Sequence, residues 1–174
     1  IHDLTFLRIE VLCKIMAATG AVEEQARSLA LEAFAVFFKG RNDVAFFPGA
    51  LEMLDVLSQR YTLLALTNGN ADVEQVGIAK FLAGAVSSAD VGASKPNKLM
   101  FEAVLAKAGA TADQCIHVGD HLTDDIAGAK NAGMHTLWVN LTGHKPSPDQ
   151  AIANIEVTNL EQLPSALEAY QNSL

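Results

Sequence analysis

The spacing of apolar residues divides the chain into two regions. Apolar side chains recur every three or four positions over residues 4–16 and again over 26–37, which is typical of two amphipathic helices in a hairpin. The segment after the second helix, residues 39–49, contains two glycines and a proline, which break helices. The pattern therefore predicts a helical subdomain over residues 1–45 and a second domain over residues 46–174.

In the second domain, helical patterns alternate with short apolar runs. The runs YTLLALTNG, CIHVG and HTLWVN are strand-like, whereas AGAVSSADVG is a weaker candidate because Ala and Gly favour strands poorly. Strands that are apolar throughout are buried on both faces, as in a parallel sheet covered by helices. The pattern predicts a doubly wound α/β fold. Its expected order is helix 50–59, strand 61–69, helix 73–82, strand 83–92, helix 98–108, strand 115–119, helix 125–133, strand 135–140, edge strand 155–157 and a closing helix.

Composition narrows the kind of ligand. The chain has 174 residues and a net charge of −8, so a nucleic-acid surface built on general basicity is excluded and an anionic membrane surface is disfavoured. Cys13 and Cys115 lie in separate apolar runs and predict buried thiols rather than a disulfide framework. No apolar run is long enough to span a bilayer, and the N-terminus lacks a signal-peptide pattern. We expect a soluble, cytoplasmic protein that binds a small molecule, and the sequence leaves its oligomeric state open.

Two loops at the carboxyl ends of predicted strands carry groups that can bind a phosphate, at the edge where ligands of such sheets bind. In TNGN, Thr67 supplies a hydroxyl, and Asn68 and Gly69 allow a tight turn whose backbone N–H groups face outward. In GASKPN, Lys95 offers an ammonium that can neutralise a phosphoryl group. Taken singly, each loop is more often an ordinary solvated turn.

The third loop, GDHLTDD, gathers three carboxylates after one strand. Like charges this close repel unless a cation neutralises them, and Mg²⁺ prefers one or two carboxylates together with water and phosphate. Asp120, the first residue beyond the strand, is the leading candidate ligand, followed by Asp125. Asp124 ranks third, so the choice of the second metal carboxylate stays open between Asp124 and Asp125, and we expect Asp124 to cap the next helix. The alternative for the whole cluster is an acidic first turn that complements the helix dipole.

The three loops would meet at one edge of a parallel sheet, which predicts a combined phosphate and Mg²⁺ site. Phosphoryl transfer at such a site can use a carboxylate as nucleophile and a second group as acid and base. The chain contains no Asp-x-Asp pair, and the nearest match, Asp72-Val73-Glu74, falls within a predicted helix. The sequence thus predicts a binding site without its attacking group.

The order Thr-Asn-Gly, Lys-Pro and VGDHLTDDIAGAKNAGM resembles motifs two, three and four of the haloacid dehalogenase-like hydrolases. Within that superfamily the chain is most similar to bacterial phosphatases of flavin mononucleotide and of the phosphorylated ribitylamino-uracil of riboflavin synthesis, with phosphoglycolate-type phosphatases as close competitors. The resemblance implies a Rossmann-like sheet, a helical cap, Mg²⁺ as cofactor and a small phosphate ester as substrate. The residues it implies are Thr67, Asn68 and Lys95 for phosphoryl binding and catalysis, and Asp120 and Asp125 for the metal. Gly69, in the same turn as Thr67 and Asn68, is expected to bind the phosphate but not to take part in catalysis.

Motif one of that family, an Asp-x-Asp-x-Thr loop after the first strand, is absent from the chain. Its absence predicts a sheet that lacks its first, central strand and a cap that is only partly present. We expect residues 1–174 alone to be inactive as a phosphatase, with the attacking aspartate supplied upstream of Ile1. Robust Mg²⁺-dependent turnover by residues 1–174 would contradict this expectation.

Four other interpretations compete with the phosphatase. A metal-independent haloacid dehalogenase would share the fold and the nucleophile but attack carbon, and the acidic loop favours the phosphatase. A non-catalytic remnant would keep only the anion site at Thr67 and Lys95. A receiver domain carries its acidic pair before its Thr and Lys, the reverse of the order here. A zinc site of His117, His121 and Asp120 is disfavoured because His117 lies in an apolar strand, where a hydrogen-bonded core imidazole is expected.

Overall fold

The computed structural model describes residues 2–174. Two long helices, α1 (Leu4–Ala18) and α2 (Glu23–Asn42), pack together as the predicted hairpin. No helix within residues 2–174 is long and apolar enough to cross a membrane. The other helices are α3 (Ala50–Ser58), α4 (Val73–Val76), α5 (Ser88–Val91), α6 (Lys98–Ala108), α7 (Gly128–Asn131) and α8 (Leu163–Gln171), with a π-helix over Leu122–Ala127 and 3₁₀ turns over Ala79–Phe81, Ala112–Gln114 and Leu160–Gln162.

The strands of the described residues are short and parallel, and they form two separate sheets. One sheet pairs β1 with β2, and the other has the order β3-β4-β5. Helices alternate with these strands along the chain, which confirms the predicted doubly wound α/β fold. The strands are β1 (Leu64–Thr67), β2 (Gly84–Ser87), β3 (Ile116–Gly119), β4 (His135–Val139) and β5 (Ile155–Val157).

A groove lies where a strand between β1 and β3 would complete one continuous sheet. No backbone pairing joins β1 to β3 in the described part of the chain. The groove has a volume of about 680 Å³, and its walls include Leu64 and Leu66 of β1 and Ile116 and Val118 of β3. We call this feature the inter-sheet groove. It agrees with the expectation of a parallel sheet that lacks its first, central strand.

Several elements are shorter than predicted, among them strand 61–69, which is observed as Leu64–Thr67. The predicted helix 73–82 ends at Val76, because Gly77 adopts the left-handed conformation, φ 86°, that terminates helices. The predicted strand 83–92 pairs with β1 only as far as Ser87, whose hydroxyl then caps the short helix α5. In the helical hairpin, by contrast, α2 extends into the predicted breaker segment and ends at Asn42. The division into 1–45 and 46–174 stays a prediction.

Strand β4 lies at the centre of the core. Leu137 is fully buried, and it packs with Leu57 of α3 and Leu163 of α8. A second cluster joins Phe101 of α6 to Ala129 of α7, and both are fully buried. The two clusters use different helices, which is how helices cover both faces of a parallel sheet. The carboxyl ends of the strands are left as the edge where loops carry polar side chains.

Candidate active site

A buried ion pair lies at the carboxyl ends of β1 and β3. The Lys95 Nζ atom is 2.6 Å from Asp125 Oδ1, and the two side chains are only 12% and 6% exposed. Lys95 Nζ also donates a hydrogen bond to the Leu66 carbonyl of β1, at 3.1 Å. On the other side, the Nε2 atom of His117 of β3 lies 3.0 Å from the same Asp125 oxygen. These polar contacts bridge the two sheets at one end of the inter-sheet groove.

Asp125 is held in its charged form by this environment. Burial alone would raise its pKa, but hydrogen bonds from His117 and Lys95, together with the lysine charge, hold that pKa well below the usual range. The His121 N–H adds a hydrogen bond to Oδ2, at 3.0 Å. Because an ionised carboxylate only accepts hydrogen bonds, Nε2 of His117 carries the proton in this contact. His117 is therefore the buried, hydrogen-bonded imidazole that its strand position predicted.

Gly119 makes room for the Asp125 carboxylate. A Cβ atom at residue 119 would overlap the side chain of Asp125, so a larger residue could not fit without a shift. Asp125 itself lies in the π-helix, where the Ile126 N–H bonds to the His121 carbonyl at 3.2 Å. The predicted helix 125–133 therefore begins earlier than expected, and its first part is wider than an α-helix. Such wide turns are frequent at functional sites.

Asn68 joins the first loop to the second. Its Oδ1 atom accepts a hydrogen bond from the Lys95 N–H at 2.6 Å, and its Nδ2 atom donates to the Lys95 carbonyl at 3.0 Å. We predicted that the backbone N–H of Asn68 helps to bind phosphate, and that role stays a prediction. The side-chain clamp on Lys95 was missed, because the two residues are 27 positions apart and no sequence spacing connects them.

Thr67 and Gly69 complete the first loop. Thr67 Oγ1 accepts a hydrogen bond from the Gly69 N–H at 2.9 Å, which leaves the hydroxyl hydrogen for a ligand. The neighbours of Thr67 in sequence, Leu66 and Asn68, both contact Lys95, so the threonine lies at the same sheet edge. The structure thus brings the predicted phosphate-binding residues together, and their roles remain predictions.

Asp120 has quite different surroundings from Asp125. It is exposed, its carboxylate makes no hydrogen bond within residues 2–174, and its carbonyl accepts one from the Trp138 indole at 2.9 Å. The prediction that Asp124 caps the helix is wrong. The cap is His121, whose Nδ1 atom accepts a hydrogen bond from the Asp124 N–H at 3.0 Å. The imidazole takes this place because it can accept from the free N–H of the first turn.

The cap hairpin also reaches this edge of the sheet. The guanidinium of Arg8 in α1 donates to Asn70 Oδ1 at 2.6 Å, and the Asn70 amide donates to the Thr5 hydroxyl at 3.1 Å. At the end of α2, the buried Asn42 accepts a hydrogen bond from the Asp72 N–H at 2.8 Å. The sequence does not predict the contact between Arg8 and Asn70, because the two residues lie 62 positions apart and Arg8 belongs to no recognisable motif.

The model of the haloacid dehalogenase-like hydrolases matches residues 5–133, well over half of the chain. The chain belongs to this family. It is 30% identical over 138 residues to 5-amino-6-(5-phospho-D-ribitylamino)uracil phosphatase YigB of Escherichia coli, covering 79% of this chain and 58% of that protein. It is 29% identical over 162 residues to phosphoserine phosphatase of Thermus thermophilus, covering 90% of this chain and 63% of that protein. The chain thus spans less than two thirds of either relative.

A solved structure resembles the whole chain more closely. The crystal structure of 2-haloacid dehalogenase from Pseudomonas syringae pv. Tomato has a TM-score of 0.93 and is 39% identical, covering 97% of this chain and 73% of that one. The family assignment that the sequence motifs predicted is therefore confirmed. The relatives named here include both phosphatases and a dehalogenase, so the family alone leaves the substrate undetermined.

Proposed function

We propose that this chain carries the phosphate- and metal-binding half of a Mg²⁺-dependent phosphomonoester hydrolase. One observation carries the proposal: the buried Lys95 ammonium is fixed beside the Thr67 turn, between the Leu66 carbonyl and the Asp125 carboxylate. A fixed cation at the carboxyl ends of parallel strands suits a phosphoryl group. The substrate is a small phosphorylated metabolite. A flavin nucleotide or its riboflavin precursor and a phosphoglycolate-type hydroxy acid are the two classes that the relatives and motifs support.

The residues of the first two loops would share the phosphoryl group. The Thr67 hydroxyl, whose oxygen already accepts the Gly69 N–H, is free to donate to a phosphoryl oxygen. Lys95 would neutralise part of the phosphoryl charge, and Asn68 would position it by holding both backbone groups of Lys95. Together these residues bind and orient the ester.

Asp120 and Asp125 are suited to hold Mg²⁺. No group of three or more metal-ligating side chains occurs in the described residues, but Mg²⁺ is usually held by one or two carboxylates together with water and substrate phosphate. The Asp120 carboxylate is exposed and unbonded within residues 2–174, and Asp125 Oδ2 has a single hydrogen-bond partner there, His121. When bound, the ion would supply charge stabilisation for the phosphoryl oxygens.

The attacking carboxylate would come from polypeptide outside residues 1–174. The chain has no Asp-x-Asp pair, and the carboxylate beside Lys95 is already committed to an ion pair. We therefore expect residues 1–174 to bind phosphate without hydrolysing phosphate esters. Release of phosphate from p-nitrophenyl phosphate by purified residues 1–174, dependent on Mg²⁺, would overturn this part of the proposal.

Calorimetric titration with inorganic phosphate tests the binding site. We expect binding by residues 1–174 in MgCl₂, and a loss of about tenfold or more in affinity in Lys95→Met, because an ammonium contact to phosphate is charge-assisted. Lys98→Met is the matched control, since Lys98 is exposed and pairs with Glu102 on α6. Thr67→Val provides a second variant that leaves the buried ion pair intact. Equal phosphate affinity in the original chain, Lys95→Met and Thr67→Val would refute the proposal.

A metal-independent 2-haloacid dehalogenase is the second candidate. The 39% identity to the Pseudomonas syringae dehalogenase structure favours it. Such an enzyme would bind a 2-haloacid without Mg²⁺ and would have no need for the exposed Asp120 carboxylate. Titration with 2-chloropropionate, with and without MgCl₂, separates the two functions. Metal-independent binding of 2-chloropropionate together with no binding of phosphate would favour the dehalogenase.

A further inference from the structure

The arginines of this acidic chain fall into two groups. The sequence has four arginines and 20 acidic residues. Arg27 pairs with Glu10, and Arg60 pairs with Glu168. Neither Arg8 nor Arg41 forms an ion pair with an acid within residues 2–174. These two residues come from different helices of the cap hairpin, yet both lie beside the loop that follows β1.

Arg8 is held in place without an acidic partner. Its Nη1 atom donates to Asn70 Oδ1 at 2.6 Å, and its guanidinium lies over the Phe37 ring, 4.8 Å from the ring centre. Stacking on an aromatic ring and a hydrogen bond to an amide orient the guanidinium while leaving its charge uncompensated. A guanidinium has five N–H donors, so most of them remain for a ligand.

Arg41 lies close to Gly69 of the same loop. Its Nη2 atom is 3.5 Å from the position that a Cβ atom would occupy on Gly69, and Thr67 Oγ1 is 3.2 Å from the same position. The guanidinium and the threonine hydroxyl are therefore both within a few ångströms of Gly69. The side chain of Arg41 is exposed, so a ligand held by Thr67 would be open to it.

We infer that Arg8 and Arg41 bind a carboxylate of the substrate, which makes the substrate a phosphorylated hydroxy acid. This inference rests on the proposed function, because it places the phosphoryl group at Thr67 and Lys95. The planar fork of a guanidinium matches a carboxylate in a bidentate contact, and two uncompensated guanidinium groups near one phosphate loop favour a ligand with two negative groups. Flavin mononucleotide has no carboxylate for these guanidinium groups to bind in a bidentate contact.

A matched pair of ligands tests this role. The probes are 3-phosphoglycerate and glycerol 3-phosphate, which differ in a carboxylate against a hydroxymethyl group. Calorimetric titration of residues 1–174 in MgCl₂ measures the affinity ratio between them. We expect 3-phosphoglycerate to bind about tenfold or more tightly, because a charge-assisted bidentate contact is present for this ligand alone. Arg8→Gln and Arg41→Gln should each bring the ratio towards one.

Two controls separate recognition from folding. Arg27→Gln removes a cap arginine that is already paired with Glu10 and should leave the ratio unchanged. Arg8→Lys keeps the charge and one hydrogen bond but loses the fork, so its ratio should fall between those of the original chain and Arg8→Gln. Circular dichroism melting of every variant checks that the hairpin remains folded.

The outcomes distinguish this inference from the proposed function. Equal affinity of the original chain for the two probes would overturn the inference and leave the phosphate site standing, and this result needs no variant. A preference that survives in both Arg8→Gln and Arg41→Gln would also overturn it. Failure of both probes and of inorganic phosphate to bind would remove the proposed function itself.

Discussion

Asp125 and Asp120 belong to one loop, yet their burial and their hydrogen bonding differ sharply. Asp125 is buried and receives hydrogen bonds from Lys95, His117 and the backbone of His121. Asp120 is exposed, and its carboxylate has no partner within residues 2–174. A buried charge must be paired to be tolerated, whereas an exposed one contributes little to stability and stays available for ligands. The contrast divides the site into an inner part, where Asp125 fixes Lys95 and keeps one oxygen towards the metal, and an outer part, where the Asp120 carboxylate stays available for a ligand.

The largest loss of stability is expected on substitution of Asp125, the inner acid. Asp125→Asn removes the partner of a buried ammonium, and breaking such a pair costs about 3 kcal/mol or more. Urea unfolding followed by circular dichroism measures the loss. Asp124→Asn is the matched control, because Asp124 is adjacent and only partly buried, and it should shift the unfolding free energy by less than about 0.5 kcal/mol. Similar losses of unfolding free energy in Asp125→Asn and Asp124→Asn would contradict the special role of the buried carboxylate.

The second-largest loss of stability is expected when the space around the Asp125 side chain is filled. Gly119→Ala places a Cβ atom on the Asp125 side chain, and relieving such an overlap costs about 1–3 kcal/mol. Gly40→Ala is the control of opposite sign: Gly40 lies in α2 with open space around its Cα, so alanine there should stabilise by about 0.5–1 kcal/mol. Urea unfolding reports both changes, and a stable Gly119→Ala variant would argue that the pair tolerates displacement.

Lowering the pH should reduce the difference in unfolding free energy between the original chain and Asp125→Asn. The folded-state pKa of Asp125 lies below its unfolded value, so its ionised form stabilises the fold above about pH 4, and this contribution is lost as the pH falls. The gap in unfolding free energy between the original chain and Asp125→Asn should therefore stay constant above about pH 5 and narrow as the pH falls from about 5 to 2. A gap that is constant with pH would show that the charge of Asp125 is not what stabilises the fold.

The smallest effect on stability is expected at the outer acid. Asp120→Asn should leave the unfolding free energy unchanged within about 0.5 kcal/mol, because the carboxylate is exposed. In calorimetry it should abolish the gain in phosphate affinity that MgCl₂ provides. Strong destabilisation, or Mg²⁺-dependent phosphate binding that survives the substitution, would contradict the division into an inner and an outer part.

Sequence patterns predicted the edge of the sheet better than the contacts made there. Strand ends after Thr67 and Gly119 were visible because apolar runs stop at turn residues, and the rule for parallel sheets then brought Lys95 and Asp125 together. The clamp of Asn68 on Lys95 was not visible, because a hydrogen bond between distant loops has no periodicity.

Local competition explains the remaining differences. Apolar spacing alone predicts a helix that runs through Gly77, but the left-handed conformation of Gly77 ends α4. At the acidic loop we assigned the cap to a carboxylate, the commoner choice, and the structure uses the imidazole of His121. The first case depends on the backbone conformation that glycine adopts, and the second depends on which of two nearby side chains accepts from a backbone N–H.

The inter-sheet groove has a consequence for how the molecule behaves in concentrated solution. Within residues 2–174, β1 and β3 each present an unpaired edge towards it, and an unpaired strand edge is a template for main-chain hydrogen bonding by another polypeptide. The groove walls are mainly aliphatic, so an extended apolar segment from a partly unfolded copy would gain both hydrogen bonds and burial there. Aggregation by strand capture is therefore the expected failure of residues 1–174 alone on heating, and an excess of a short β-forming peptide that occupies the groove should suppress it.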